Sequence, residues 1–253
     1  MGILDNKAAI VTGAGQGVGR GIAVAMAKEG AAIALVGRTR ATLAKVQAEI
    51  EAFGGRATFT VGDIKRAEDI ANAVAHTAQT FGGIDILINN AQEVALGRLL
   101  DVSDESFLDG FVSGPLATFR LMKECHPHFV ARGGGAIVNL GTSAAVRWDM
   151  STYGAYAAVK QATRALTRAA CAEWAHDNIR VNTIAPLAMS PGMEFWINAV
   201  PEEAAAFIKT IPLGRVGDCE IDIGRAVVFL VGPDARYLSG ATIPLDGGQA
   251  NFD

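Results

Sequence analysis

Cysteine is scarce in this chain: Cys125, Cys171 and Cys219 form an odd set, widely spaced. That excludes a disulfide framework and a clustered thiolate metal site, and it fits reduced thiols in a core. Basic runs are missing as well. Lysine and arginine total 22 against 26 acids, a net charge of −4, and nothing tracks a phosphate backbone, so no nucleic-acid partner is expected. Apolar runs reach only strand length, so no membrane span is expected. The opening MGILDNKAAIVTG lacks a basic region and a small-residue cleavage site, which points to a cytoplasmic protein. Met1-Gly2 would begin a myristoylation signal, but Asn6 stands where Ser or Thr is needed. His126 and His128 have no third ligand nearby, and neither has His76 or His176; no metal site is expected.

What the chain does have is apolar bulk, 50% of its 253 residues, enough for one sizeable core. Strand patterns at Ala8–Val11, Ala31–Val36, Ala57–Val61, Ile84–Ile88, Ala136–Leu140, Arg180–Ile184 and Ala241–Leu245 alternate with helical patterns. The helical segments are Val18–Lys28, Thr39–Phe53, Ala67–Phe81, one opening at VSDESF with Ser103 as N-cap, and those near 151–175 and 218–231. Several strands, such as AIALV, are continuously apolar, as in a parallel sheet covered on both faces. The alternation predicts an α/β fold, a doubly wound Rossmann-type sheet of seven parallel strands. No linker or repeat divides the chain, so residues 1–253 form a single domain. The irregular segment 186–212, PLAMSPGMEFWINAVPEE and onward, is too long for a plain connector and is expected to be a substrate lid.

Between the first strand and first helix, AAIVTGAGQGVGRG spaces Gly13, Gly15, Gly17 and Gly19 for close backbone approach to a diphosphate at a helix start. The second strand ends in ALVGRTR. Gly37 occupies the place of the acid that would hold free ribose hydroxyls, and no carboxylate occurs between Glu29 and Glu49. Arg38, with Arg40 nearby, suits a 2′-phosphate instead, so NADP(H) is preferred to NAD(H). Asp63, at the end of the third strand in VGDI, is a candidate for the adenine amino group; a turn aspartate would look the same.

Thr12-Gly13, Gly17 and Gly19, then INNA at 88–91, then Tyr156-x-x-x-Lys160, and finally YLSGATIPLDGG at 237–248 follow one another in that order. In this the chain resembles the short-chain dehydrogenase/reductase family along essentially its whole length. The resemblance implies hydride transfer between nicotinamide and a ketone or secondary alcohol. It carries cofactor contacts to Gly13, Gln16, Gly17, Val18, Gly19, Arg38, Asp63, Ile64, Asn90, Tyr156 and Lys160. Tyr156 becomes the general acid/base, and a phenol of reference pKa about 10 needs help near neutrality. Lys160, four residues on and on the same helix face, would favour the phenolate and hold the nicotinamide ribose. Tyr153 lies roughly 10 Å from Lys160 along the axis and reads as wall or core.

A serine after the fifth strand completes the family's set. Counting from Asn139 selects Thr142; counting back from Tyr156 selects Ser143. Both stay open as the oxygen donor. Three positions depart from the family pattern. Gly114 (or Ser113) stands where a fourth residue, an asparagine, is usual, Gln92 replaces the glycine of N-N-A-G, and Leu187 replaces the glycine of P-G. Val146, Trp148, Tyr153, Leu187, Met193, Phe195 and Trp196 are pocket candidates and suggest an apolar or aromatic ketone or alcohol. The competing reading is a non-redox protein on the same scaffold: an NADP(H) sensor, an isomerase or a lyase. By analogy with the family, a homotetramer or homodimer is expected.

Overall fold

The computed structural model describes residues 2–147 and 151–250. Seven parallel strands form one sheet in the order β3-β2-β1-β4-β5-β6-β7. They are β1 (Ala8–Thr12), β2 (Ala32–Gly37), β3 (Arg56–Val61), β4 (Ile86–Asn89), β5 (Gly135–Leu140), β6 (Ile179–Pro186) and β7 (Thr242–Leu245). Every residue of β1 and β4 is buried, as continuous apolar runs require when helices cover both faces. β4 opens two residues later than its pattern suggests. Asp85 leaves the strand to accept from Lys7 Nζ (3.1 Å), Arg132 Nε (3.1 Å) and the Ala8 amide (2.9 Å), a buried carboxylate fully engaged.

The helices are α1 (Gly17–Lys28), α2 (Arg40–Ala52), α3 (Ala67–Phe81), α4 (Asp104–Phe111), α5 (Ala117–Ala131), α6 (Gly154–Trp174), α7 (Pro191–Ala199), α8 (Pro201–Ile208) and α9 (Arg225–Val231). One face of the sheet packs Ile22, Met26, Leu43, Ile50, Val227 and Leu230 from α1, α2 and α9. The other packs Ile70, Val74, Leu121, Met122, Phe129 and Ala170 from α3, α5 and α6. Ser103 caps α4 as expected, accepting from Ser106 N at 3.2 Å.

Two helices expected to run unbroken do not. α4 passes into α5 through a π-turn, Val112–Leu116, at Pro115, which has no N–H to give the helical ladder. The 218–231 segment divides into a π-turn, Cys219–Gly224, and the short α9. The switch in strand order falls between β1 and β4, so the carboxyl ends of these strands open a crevice there. Among the described residues, no helix is long and apolar enough to cross a membrane.

Candidate active site

The crevice is a cleft of about 480 Å³, lined by Gly13, Gln16, Gly17, Val18, Gly19, Arg38, Asp63, Ile64 and Asn90, nine of the expected cofactor residues. The glycine turn is a cradle that side chains would fill. Gly13 and Gly17 have φ of +64° and +55°. A Cβ on Gly19 would lie 2.4 Å from the Gly13 carbonyl oxygen. Gln16 provides no side-chain cap, so the first amides of α1 remain available to an anion. The cleft thus fits a dinucleotide diphosphate. Asn90 fastens the cradle: its Nδ2 donates to the Thr12 carbonyl (2.8 Å) and the Gly13 carbonyl (3.2 Å). Thr12 Oγ1 accepts from the amides of Asn90 and Ala91 in return, each at 3.0 Å.

At the far end of β2, Arg38 is engaged. Its guanidinium pairs with Glu93 at 2.5 Å, and Lys65 Nζ reaches the other oxygen of the same carboxylate at 3.0 Å. Glu93 is consequently held below the usual carboxylate range, chiefly by the Lys65 hydrogen bond. Neither Glu93 nor Lys65 was among the residues expected here. They are distant in sequence from Arg38 and carry no motif, so only the fold brings them together. Asp63 accepts from the Lys65 amide through Oδ1 (2.9 Å), the turn geometry left open in the sequence.

Tyr156 and Lys160 do not line this cleft. They lie on α6, with the Lys160 ammonium nitrogen 5.6 Å from the centroid of the Tyr156 ring. Lys160 is buried and donates to the Leu140 carbonyl at the end of β5, 2.6 Å away. Burial pulls Lys160 down to about 7 and pushes Tyr156 up to about 12. The expectation that the lysine charge would depress the tyrosine is not met in these values, because desolvation disfavours both charged forms.

The two hydroxyls after β5 diverge. Thr142 hydrogen-bonds Tyr156 and thereby favours its phenolate. Its oxygen also accepts from the Ala144 amide at 3.3 Å. Ser143 is buried and donates to Asp246 beyond β7, at 2.5 Å. Asp246 is also buried and accepts from the amides of Gly248 (3.0 Å) and Ala250 (3.1 Å). Behind them, Asn139 bridges Asn89 (2.8 Å) and Thr167 (2.9 Å), and Thr167 bonds Thr183 (2.8 Å), tying β4, β5, β6 and α6 into one unit.

Segment 186–212 contains α7 and α8, joined by an edge-on Trp196–Phe207 contact with ring centroids 5.4 Å apart. Pro191, at the start of α7, walls the dinucleotide cleft; a Cβ on Gly17 would meet it at 3.3 Å. Arg147, after β5, stacks over Phe207 at 6.0 Å. Of the pocket candidates, Phe195 and Tyr153 are exposed, Trp196 turns onto α8, and Trp148 lies outside the described residues. Sequence reasoning passed over Leu96, Leu99 and Leu100, exposed in the loop after β4. Leu99 abuts the start of α6, where a Cβ on Gly154 would approach it to 2.9 Å. Cys125 is sealed in the core, and burial raises the Cys219 thiol to about 11, so neither is a poised thiolate.

Comparison with known proteins agrees with this geometry. The family model described as enoyl-(acyl carrier protein) reductase matches residues 13–250. The 12α-hydroxysteroid dehydrogenase of Clostridium sp. (strain ATCC 29733 / VPI C48-50) is 40% identical over 257 residues, covering 98% of each chain. A 7α-hydroxysteroid dehydrogenase solved with NADH and 7-oxo glycochenodeoxycholic acid superposes with a TM-score of 0.91 at 30% identity, covering 98% of this chain and 95% of that one. A provisional NAD(P)-dependent gluconate 5-dehydrogenase of Beutenbergia cavernae, solved with NADP at low occupancy, gives a TM-score of 0.89 at 34% identity and covers 97% of each chain. With matches of this extent to both sequence and fold, the chain belongs to the short-chain dehydrogenase/reductase family.

Proposed function

We propose that this protein is an NADP(H)-dependent oxidoreductase acting on a ketone or secondary alcohol. The observation that carries the reading is the meeting of Thr142, Tyr156 and Lys160 at the carboxyl edge of the sheet, beside a glycine cradle fitted to a diphosphate. The bound nicotinamide supplies or accepts the hydride. Thr142, rather than Ser143, orients the substrate oxygen: its hydroxyl turns from Tyr156 to the substrate beside it, whereas the Ser143 proton is held by the buried carboxylate of Asp246. Tyr156 holds its proton at neutral pH and delivers it to the oxygen as negative charge develops there. Lys160, drawn down to about 7, exchanges protons readily near neutrality and restores the phenol. Gln16, Gly17, Val18 and Gly19 bind the diphosphate, and Asp63 and Ile64 border the adenosine half. Arg38 takes the 2′-phosphate after releasing Glu93.

The substrate is an apolar ring ketone or its alcohol. Exposed Leu99, Tyr153, Met189 and Phe195 support this, as does similarity to hydroxysteroid dehydrogenases. Residues 186–212 serve as its lid, hinged where Pro186 leaves β6. Copies of the chain pair through Leu108, Phe111, Leu116, Ala165 and Leu166, an apolar groove on the α4–α6 face, in a cytoplasmic dimer or tetramer. The test is NADPH oxidation with oxo-steroids and aromatic ketones, wild type against Tyr156→Phe. Turnover lost in the variant supports the assignment. Tight NADPH binding without turnover of any ketone would favour the non-redox reading instead.

A further inference from the structure

The turn after β7 opens with Asp246, a buried carboxylate held by hydrogen bonds alone among the described residues. A buried charge without a counter-ion is costly and persists only where its hydrogen bonds are fixed. Here Oδ1 accepts from the Gly248 amide at 3.0 Å, and Oδ2 accepts from the Ala250 amide at 3.1 Å and the Ser143 hydroxyl at 2.5 Å. The two amides belong to its own turn; the hydroxyl belongs to the loop after β5. One carboxylate therefore folds the 246–250 turn and grips the loop that carries Thr142.

The same turn holds both feet of segment 186–212. The strand order β5-β6-β7 places Ser143 and Asp246 on either side of the end of β6, from which that segment departs. At the departing foot, the Leu187 amide donates to the Leu245 carbonyl at 3.0 Å. At the returning foot, the Leu213 amide donates to the Gly247 carbonyl at 3.1 Å, and Gln249 Nε2 donates to Thr210 Oγ1 at 3.2 Å. Gly247 has a φ of +69°, and a Cβ there would lie 2.7 Å from Cγ2 of the buried Ile211. The bare glycine lets the returning chain seat directly on the turn. Since α7 and α8 lie between the two feet, a shift of the turn reaches both ends of the helical pair.

We propose that Asp246 is a positioning residue that couples segment 186–212 to the catalytic loop through Ser143. This rests on the lid and ketone–alcohol readings above and adds the link between them. Seating of α7 and α8 over a ketone fixes the 246–250 turn. The Ser143 bond passes that position to Thr142, the adjoining residue, which meets Tyr156.

The test uses three variants. Asp246→Asn keeps an oxygen for Ser143, Asp246→Leu removes both oxygens, and Ser143→Ala cuts the link from the other side. Kinetics with NADPH and an oxo-steroid are run well below the melting temperature. Ser143→Ala and Asp246→Leu should raise the ketone KM about 10-fold, the weight of one charge-assisted hydrogen bond, and change the NADPH dissociation constant less than about 2-fold. Asp246→Asn should stay within about 3-fold of wild type. Gln249→Ala, which loosens the returning foot alone, should raise KM about 3-fold in wild type but add little once Ser143→Ala is present, because the two act through one unit. An unchanged KM in Ser143→Ala, or fully additive effects of Ser143→Ala and Gln249→Ala, would overturn the coupling.

Limited chymotrypsin digestion reads the link without turnover. Ser143→Ala should be cut about 5-fold faster than wild type at Phe195, Trp196 and Phe207, with the sheet left intact. Cuts spread evenly through the chain would mark general unfolding and overturn the coupling as well. A wild type that reduces no ketone would defeat the activity reading, and the digestion pattern would then decide the coupling by itself.

Discussion

Ser143 donates its hydroxyl to Asp246, although 103 positions separate the two in the chain. That bond ties the loop after β5 to the residues beyond β7, and it leaves the Thr142 hydroxyl as the one that meets Tyr156.

Thr142→Val should lower kcat about 100-fold, the usual loss on removing one donor to a developing oxyanion, with little change in melting temperature. Ser143→Ala should do the reverse. It removes one charge-assisted hydrogen bond from the buried Asp246, whose oxygen keeps only the Ala250 amide, costing about 1–3 kcal/mol of stability, while kcat falls only a few-fold. Steady-state kinetics and thermal unfolding on both variants decide between the two hydroxyls; a larger kcat loss in Ser143→Ala would reverse the assignment.

Tyr156 near 12 predicts opposite pH responses for the two reaction directions. Alcohol oxidation needs the phenolate, so its rate should climb from neutrality to the alkaline limit of the protein. Ketone reduction needs the phenol and should stay level over the same range. Tyr156→Phe should remove both, by about 100- to 10,000-fold. The check is a pair of kcat–pH profiles with saturating dinucleotide; an oxidation rate that is already flat at pH 7 would contradict the raised value.

Lys160 carries a stability consequence. Its folded value, about 7, lies below the unfolded 10.5, so between these pH values the unfolded chain binds the additional proton. Stability therefore rises with pH through that window, and the penalty is complete below about pH 7. Lys160→Met removes the penalty. The variant should melt several degrees above wild type at pH 6 and by a smaller margin at pH 9, measured by calorimetry. An equal gain at both pH values would rule out the linkage.

Glu93 holds Arg38 and Lys65 together on the rim of the cleft. A 2′-phosphate must draw Arg38 away from this carboxylate, so the pair opposes NADPH binding. Glu93→Gln should tighten NADPH several-fold and leave NADH nearly unchanged, whereas Arg38→Ala should weaken NADPH at least 10-fold more than NADH. Parallel titrations with both dinucleotides check this, and equal effects on the two would refute the phosphate assignment.

The order of elements was legible in the sequence because buried parallel strands and their crossover helices have distinct apolar periods. Each of the seven strand patterns falls on an observed strand, and Ala67–Phe81 coincides with α3. The glycine turn was legible for a related reason: its chemistry resides in backbone geometry that few residue types permit. The breaks at Val112–Leu116 and Cys219–Gly224 escaped, because the apolar period continues through a π-turn while the hydrogen-bond ladder changes.

By itself, then, the sequence determined the α/β class, the single continuous sheet, the dinucleotide cradle and the Tyr156–Lys160 spacing on one helix, all local or periodic properties of the chain. Only tertiary structure decided the rest. It turned Ser143 to Asp246, set Glu93 between Arg38 and Lys65, and laid Gln92 over Gly114. Those arrangements join residues from separate loops at the sheet edge, where no periodicity records who faces whom. There, burial and desolvation rather than spacing govern which groups hold a proton.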